Sequence, residues 1–218
     1  MTDMRVFREA VIGWAAGADG GPAGELADRL RVRTAVLLEG PSDLAAVEAL
    51  AARHGRDLAA EGVCVVPMGG AMSVGRFAGL LGPAGLGLRL AGLCDEGEQG
   101  FYERGLERAG GPCDGIFVCT ADLEDELVRA LGVPRVEEIL RAEGDLPAWR
   151  TFVRQPAQQD RPPHQRMRRF LGTKKGRKIR YGRVLTEALD PLQLLGVLVR
   201  RAEQALAGAE QQREDEQV

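Results

Sequence analysis

Carboxylates follow three short apolar segments of the chain, and each segment has the length of a buried strand. In chain order the acids are Glu39 and Asp43, Asp95 and Glu98, and Asp122 and Glu124. Clustered carboxylate oxygens suit Mg²⁺ or Mn²⁺, and two such ions can stabilise the attacking and leaving oxygens of a phosphoryl displacement. Alternatively, each acid only starts the helix that follows, because Asp and Glu favour first turns. The three ends taken together favour a metal site.

The elements that would position these acids alternate regularly along the chain. Apolar runs bounded by turn residues predict four strands, at 35–38, 63–67, 89–94 and 115–120. Helical patterns follow the strands, at 43–54, 74–81, 99–108 and 124–131. This alternation predicts an α/β fold with a mostly parallel sheet. Because the carboxyl ends of parallel strands share one edge, the acids would converge there.

Two turn features belong to the same edge. Ser42 or Asp43 is expected to cap the first helix of the alternation. Gly69 and Gly70 follow the second strand, where they either let the backbone approach the site or form an ordinary turn.

Further segments flank the alternation. Helical patterns cover 4–16 and 25–30 before it, and a pattern at 185–206, interrupted near Pro191, follows it. The stretch 143–163 is rich in Pro, Gln and Arg and predicts a partly mobile connector. We therefore divide the chain into an N-terminal helical extension, an α/β core, a basic connector with a C-terminal helix that completes the domain, and a polar tail, at 1–33, 34–142, 143–206 and 207–218.

Composition excludes several classes of protein. No run approaches the roughly 20 apolar residues of a membrane span, and charged residues interrupt any N-terminal signal pattern, so we expect a cytoplasmic protein. The 4 cysteines lack Cys-x-x-Cys spacing and there are only 2 histidines, which argues against a zinc site. Cys64, Cys94 and Cys119 fall in predicted strands and are expected in the core.

Basic residues are concentrated in one stretch although the net charge is −3. Between Arg150 and Arg183 there are twelve Lys or Arg, opposed only by Asp160. Such a block is a candidate surface for phosphate groups. It lacks the Gly-x4-Gly-Lys-Ser/Thr spacing of an ATP-binding P-loop, which is also missing elsewhere in the sequence.

Three ordered motifs resemble one known domain. They are Leu-Leu-Glu-Gly-Pro-Ser-Asp at 37–43, Gly-Leu-Cys-Asp-Glu-Gly-Glu at 92–98 and Phe-Val-Cys-Thr-Ala-Asp-Leu-Glu at 117–124. Together they resemble the Toprim domain, and most of all its overcoming-lysogenization-defect (OLD) branch, over residues 34–190. The resemblance implies a Rossmann-like sheet and hydrolysis of DNA phosphodiesters with Mg²⁺ or Mn²⁺, using two ions.

The resemblance also implies roles for individual residues. Glu39 would be catalytic and, with Asp43, Asp95 and Glu124, would bind metal; Asp122 is a further ligand candidate. Many Toprim proteins have Asp-x-Asp after the third strand. Here Gly97 stands at the second position, and Glu98 is the nearest acid that could replace the missing carboxylate.

A catalytic lysine is expected from the same resemblance, before the last helix of the domain. Lys178 matches best, with Lys175 and Lys174 as alternatives, and the competing interpretation is a solvated loop. A lysine beside the scissile phosphate would stabilise the charge of the transition state. Neighbouring cations would contact the DNA backbone without reading its sequence; they are Arg168, Arg169, Lys174, Lys175, Arg177 and Arg180.

The sequence allows more than one binding partner and more than one activity for this chain. OLD nucleases are often fused to an ATPase, so this chain either works alone or serves a separate ATPase. Ile12, Trp14 and the C-terminal helix could contact that partner or form a homodimer; alternatively, these helices only cover the domain's own core. The preferred function is a metal-dependent endonuclease. The alternative, motivated by Gly97, is a weak or inactive Toprim module that binds nucleic acid or serves as a subunit of the ATPase.

Overall fold

The computed structural model describes residues 2–110, 115–119 and 121–190. Within them a four-stranded, wholly parallel sheet has the strand order β2-β1-β3-β4. The strands are β1 (Thr34–Leu38), β2 (Val63–Pro67), β3 (Arg89–Asp95) and β4 (Ile116–Cys119). The predicted α/β fold with four parallel strands flanked by helices is therefore confirmed.

Helices precede the first strand, alternate with the strands and continue after the last strand. Two precede the first strand, α1 (Thr2–Ala15) and α2 (Gly21–Leu30). Four follow the strands, α3 (Pro41–Arg53), α4 (Val74–Leu81), α5 (Gln99–Arg108) and α6 (Leu123–Leu131). The described chain then ends with α7 (Val133–Ala142), α8 (Leu146–Val153), α9 (Pro163–Gly172) and α10 (Lys175–Ala188). None of these helices is long and apolar enough to cross a membrane.

The stretch 143–163, predicted to be a partly mobile connector, contains α8 and a 3₁₀ turn at Pro156–Gln158. One sequence prediction about the stretch that follows was wrong. The basic stretch after Gly172 is not a loop before a helix near Val184, because α10 already begins at Lys175. Charged residues outnumber apolar ones there and obscure the buried positions Tyr181 and Leu185. Helix α7 was also missed, and the predicted helix beyond residue 190 and the tail lie outside the described residues.

The parallel register brings the strand ends level with one another. Leu38 of β1 pairs with Pro67 of β2 and with Leu93 of β3, while Asp95 pairs with Cys119 of β4. The residues that follow these positions therefore emerge at one edge of the sheet. This edge carries the predicted acids.

Buried side chains form two groups in the described chain. The first lies around the sheet and includes Phe7 and Val11 of α1, so α1 covers the sheet domain's own core while its Ile12 stays exposed. The second lies among α6 to α10 and includes Trp149 and Phe170. Cys64, Cys94 and Cys119 are buried, as predicted; Cys113 lies outside the described residues.

Tyr102 of α5 fixes the face of the sheet beneath the acids. Its hydroxyl donates to the carbonyl oxygens of Leu93 (3.1 Å) and Leu37 (3.4 Å). A Cβ added to Gly92 would lie 2.9 Å from the Tyr102 ring and 3.0 Å from Ile116. The glycine therefore makes room for the ring against β3.

Gly92→Ala should lower the free energy of unfolding by about 1–3 kcal/mol, because overpacking forces the Tyr102 ring or the strand to shift. Urea denaturation followed by circular dichroism would measure the change. Gly79→Ala in α4 is the control, since a Cβ there would meet nothing within 4 Å in the described chain. Equal stability of Gly92→Ala and wild type would show that the sheet absorbs the methyl group without strain.

Candidate metal centre

Three acids lie close together at the carboxyl edge of the sheet. One oxygen from each of Glu39, Asp95 and Glu98 lies within 4.8 Å of the others, and all three residues are partly buried. Glu39 directly follows β1, Asp95 ends β3, and Glu98 ends the 3₁₀ turn Glu96–Glu98. Oxygens gathered in this way suit a hard divalent ion such as Mg²⁺ or Mn²⁺.

One carboxylate oxygen of Glu98 needs a polar partner. Its Oε2 is buried and makes no hydrogen bond within the described chain, and such an atom calls for an explanation such as an ion or a water molecule. Burial and then Glu39 raise the pKa of Glu98. Gly97 is exposed, so the structure brings residue 98, rather than residue 97, to Glu39 and Asp95.

Burial and neighbouring acids both disfavour the ionised form of Asp95. Burial raises its pKa to about 7, and repulsion from Asp122, Glu39 and Glu98 acts in the same direction. A bound cation would relieve this repulsion and favour the ionised carboxylate. The donor set therefore fits a divalent ion.

The backbone of Glu39 is held by the turn after β2. The N–H groups of Gly69 and Gly70 each donate to the Glu39 carbonyl oxygen at 3.0 Å. The φ angles of these glycines are 76° and 131°, in the region that side-chain-bearing residues rarely adopt. The two glycines therefore serve both predicted purposes: they form the turn and bring backbone to the site.

Asp43 combines a helix-start role with a place beside the acids. Its Oδ2 accepts a hydrogen bond from the Gly40 N–H at 2.9 Å. Helix α3 begins at Pro41, so neither Ser42 nor Asp43 is the residue that precedes the helix. Asp43 nonetheless lines the same pocket as Glu39 and Asp95, and burial raises its pKa.

Glu124 and Lys178 form a second charged group. Lys178 Nζ of α10 lies 3.3 Å from Glu124 Oε2. Glu124 is only 2% exposed, and its Oε1 has no hydrogen-bond partner among the described residues. Burial raises the pKa of Glu124 to about 7, although Lys178 opposes the shift. Burial alone would lower the pKa of Lys178, but Glu124 and Asp43 raise it above its ordinary value, so the ammonium keeps its proton.

Asp122 is occupied by contacts within the protein. Its Oδ1 accepts from the Asp125 N–H at 2.8 Å and so caps α6, while its Oδ2 accepts from Arg168 Nε at 2.7 Å. The bond from the Asp125 N–H is the contact that the capping alternative predicts, whereas the pair with Arg168 was not expected from the sequence. Its charge still contributes to the raised pKa of Asp95.

The predicted nucleic-acid-binding cations fall into two groups. Arg168, Arg177 and Arg180 are paired internally, whereas Arg169 and Lys174 are exposed. Arg177 lies over the Phe170 ring at 3.9 Å and also bonds the Thr173 hydroxyl at 2.7 Å. Lys175 is the first residue of α10.

Asp145 is a structural residue that the sequence interpretation missed. It lies between α7 and α8, where its carboxylate contacts Arg177 and Arg180 and accepts from the Tyr181 hydroxyl at 3.1 Å. Asp145 thereby anchors the basic helix α10. It offered no sequence signal, because its partners are more than 30 residues away.

The family comparison agrees with this geometry. Residues 32–96 match the model of the overcoming lysogenization defect protein-like TOPRIM domain. This stretch is similar to an OLD-like Toprim domain. The matched segment holds Glu39, Asp43 and Asp95, so the predicted resemblance is confirmed. No curated protein was found to match the chain.

Solved structures support the fold of the Toprim domain and the helices that follow it. One is the C-terminal region of the OLD protein of Xanthomonas campestris pv. campestris, with a TM-score of 0.52 and 23% identity over 82% of this chain and 98% of that one. Another is the C-terminal region of the Burkholderia pseudomallei OLD protein, with a TM-score of 0.50 and 17% identity over 80% and 98%. The likeness extends well beyond the matched 32–96 segment.

Stability should depend on pH in a direction set by Asp95. Its folded pKa of about 7 exceeds the ordinary 3.8, so the folded state holds a proton that the unfolded state releases between these values. The metal-free protein should therefore lose stability as pH rises from about 4 to 7. Urea denaturation at a series of pH values would measure the fall.

Asp95→Asn should make this fall smaller, and Mn²⁺ should stabilise wild type more at pH 8 than at pH 6, because binding needs the deprotonated carboxylate. Asp160→Asn, at an exposed acid outside the site, should behave like wild type. A pH profile unaffected by Asp95→Asn would contradict the assignment.

Proposed function

We propose that this protein is a divalent-metal-dependent nuclease that hydrolyses the phosphodiester bonds of DNA. The observation that carries the proposal is the convergence of Glu39, Asp95 and Glu98 oxygens within 4.8 Å at the edge of a Toprim sheet. The nearby Lys178 supports it, because a cation facing an acidic cluster suits an anionic substrate that arrives with metal.

In this proposal Glu39, Asp95 and Glu98 would hold one Mg²⁺ or Mn²⁺. A bound divalent ion supplies Lewis-acid chemistry, lowering the pKa of water and stabilising phosphate charge. Glu98 would contribute the oxygen that now lacks a partner. Glu39, fixed by the amides of Gly69 and Gly70, would keep its position as substrate binds.

Glu124 and Asp43 are the remaining oxygen donors for a second ion. Glu124 Oε1 is buried and makes no hydrogen bond in the described chain, and Asp43 Oδ2 is already used at the start of α3. We therefore propose Glu124 as the principal ligand of a second ion, with Asp43 in support. Asp122 would act through its charge.

Lys178 would contact the scissile phosphate as a charged donor. Because the surrounding acids raise its pKa, it is unsuited to act as a general base at neutral pH. Its role would be to offset negative charge that develops on phosphate oxygens. Glu124 would hold it in place through the 3.3 Å contact.

DNA would approach over α9 and the start of α10. We propose that the exposed Arg169 and Lys174 contact phosphates, because their charges are accessible to a ligand. Arg168, Arg177 and Arg180 would instead hold the helices together. Such contacts position the backbone without sequence preference.

A second candidate is a Toprim module that binds nucleic acid with little or no cleavage. The glycine at position 97, where many Toprim proteins have an acid, favours it. The two candidates differ in the consequence of metal binding: both bind DNA, but only the nuclease cleaves it.

Glu39→Gln should lower the nicking rate of supercoiled plasmid in Mn²⁺ by at least about 100-fold, because it removes a charged oxygen from the metal cluster. Agarose-gel kinetics would measure the rate, and calorimetry would measure Mn²⁺ uptake. Glu107→Gln, at an exposed acid of α5, is the matched control. DNA binding by wild type without any metal-dependent cleavage would support the second candidate instead.

Arg169→Gln and Lys174→Gln should each weaken DNA binding at low salt and reduce the slope of log affinity against log salt by about 1. Fluorescence anisotropy in Ca²⁺ would report binding while limiting cleavage. Arg5→Gln on α1, at an arginine whose side chain is 67% exposed, removes the same charge away from the site. Equal slopes for all three variants and wild type would exclude phosphate contacts at Arg169 and Lys174.

A further inference from the structure

Helices α3 and α10 approach each other closely at Ser42 and Gly182. A Cβ added to Gly182 of α10 would lie 2.7 Å from the carbonyl oxygen of Ser42 and 3.4 Å from its carbonyl carbon. Ser42 immediately precedes Asp43, and Gly182 follows Lys178 by four residues, about one helical turn. The contact is therefore next to Asp43 in the chain and about one helical turn from Lys178, and both of these residues belong to the candidate site.

Gly182 occupies an ordinary helical position, where a glycine costs about 1 kcal/mol relative to alanine. The turn conformations that favour glycine do not explain it. What distinguishes the position is space, because the Ser42 carbonyl occupies the place of a side chain. The missing methyl group lets the two helix backbones come close.

A second contact fixes the other end of α10 on α3. Arg53, the last residue of α3, donates to the carbonyl oxygens of Thr186 (3.5 Å) and Glu187. The Thr186 hydroxyl in turn donates to the Gly182 carbonyl at 2.7 Å. Helix α10 is thus located against α3 at both Gly182 and its C-terminal end.

We propose that Gly182 is a positioning residue of the nuclease site. It sets the separation of α3 and α10, and this separation places Lys178 against Glu124 and in the field of Asp43. The role in catalysis rests on the proposed function, whereas the placement of Lys178 does not. A methyl group at residue 182 would push α10 outward, and a misplacement of about 1 Å can reduce a catalytic rate by about 100-fold.

Gly182→Ala should lower kcat for plasmid nicking about 10- to 100-fold while leaving KM for DNA near the wild-type value. Gly176→Ala is the matched control on the same helix, because its Cβ would meet nothing within 4 Å in the described part of the chain. It should match wild type. An unchanged kcat in a folded Gly182→Ala protein would overturn the catalytic part of the proposal.

A double-mutant comparison separates positioning from general damage. If Gly182 acts through Lys178, Gly182→Ala should have no further effect on kcat in a Lys178→Met background. The same fractional loss in both backgrounds would show that the substitution harms the site by another route.

Chemical labelling tests the placement without relying on nuclease activity. Lys178 pairs with Glu124 and has a side chain only 35% exposed, whereas Lys174 is exposed. Reductive methylation followed by mass spectrometry should label Lys178 more slowly than Lys174 in wild type. Gly182→Ala should raise the ratio of the Lys178 methylation rate to the Lys174 methylation rate severalfold. Gly176→Ala should leave this ratio unchanged.

Arg53→Gln offers a second variant if Gly182→Ala does not fold. It removes the C-terminal attachment of α10 without overpacking, so it should raise the same methylation ratio by a smaller factor. Unchanged ratios in folded variants would overturn the positioning role. Changed ratios in a protein that never cleaves DNA would retain the positioning role and reject the nuclease proposal.

Discussion

Mutual repulsion among carboxylates at one edge of a parallel sheet is the constraint on which the site depends. Glu39, Asp95 and Glu98 are held together while partly buried, and burial together with neighbouring acids raises the pKa of Asp95 and of Glu98. The main chain keeps them there: strand register levels the ends of β1 and β3, and two glycine amides fix the Glu39 carbonyl. Holding these acids together lowers the stability of the fold without metal, and it gathers carboxylate oxygens of the kind that bind a cation.

The helical part of the chain supplies the opposite charge. Helix α10 belongs to the second buried group, with Tyr181 and Leu185 in its core, yet its N-terminal half reaches the sheet edge with Lys178. Asp145 anchors its arginines on one side and α3 supports it on the other. The C-terminal helices therefore form a support for one ammonium group as well as a second core.

The sheet and its acids could be predicted because their signals are local. A run such as 63–67 is apolar and bounded by turn residues, and Glu39 and Asp95 directly follow such runs. Helix α10 could not be delimited, because its first turns are basic and its apolar positions are defined by distant partners. Arg177 illustrates the difficulty: it looks like a DNA contact in sequence, but its side chain packs over Phe170 and pairs with Asp145. Only the fold shows which cations of a basic block are already paired with acids or packed on rings within the protein.

The hydrogen bond from Gly40 to Asp43 gives the site a link to backbone dynamics. The same carboxylate that faces the acids also restrains the amide at the entrance to α3. If a cation attracted the Asp43 carboxylate, the hydrogen bond from the Gly40 N–H would weaken. If the neighbouring acids repelled the carboxylate, that hydrogen bond would strengthen. The hydrogen-exchange rate of the Gly40 amide would thus depend on the charge of the neighbouring acids and on cation binding. Exchange at the first turn of α3 would therefore report whether a cation is bound.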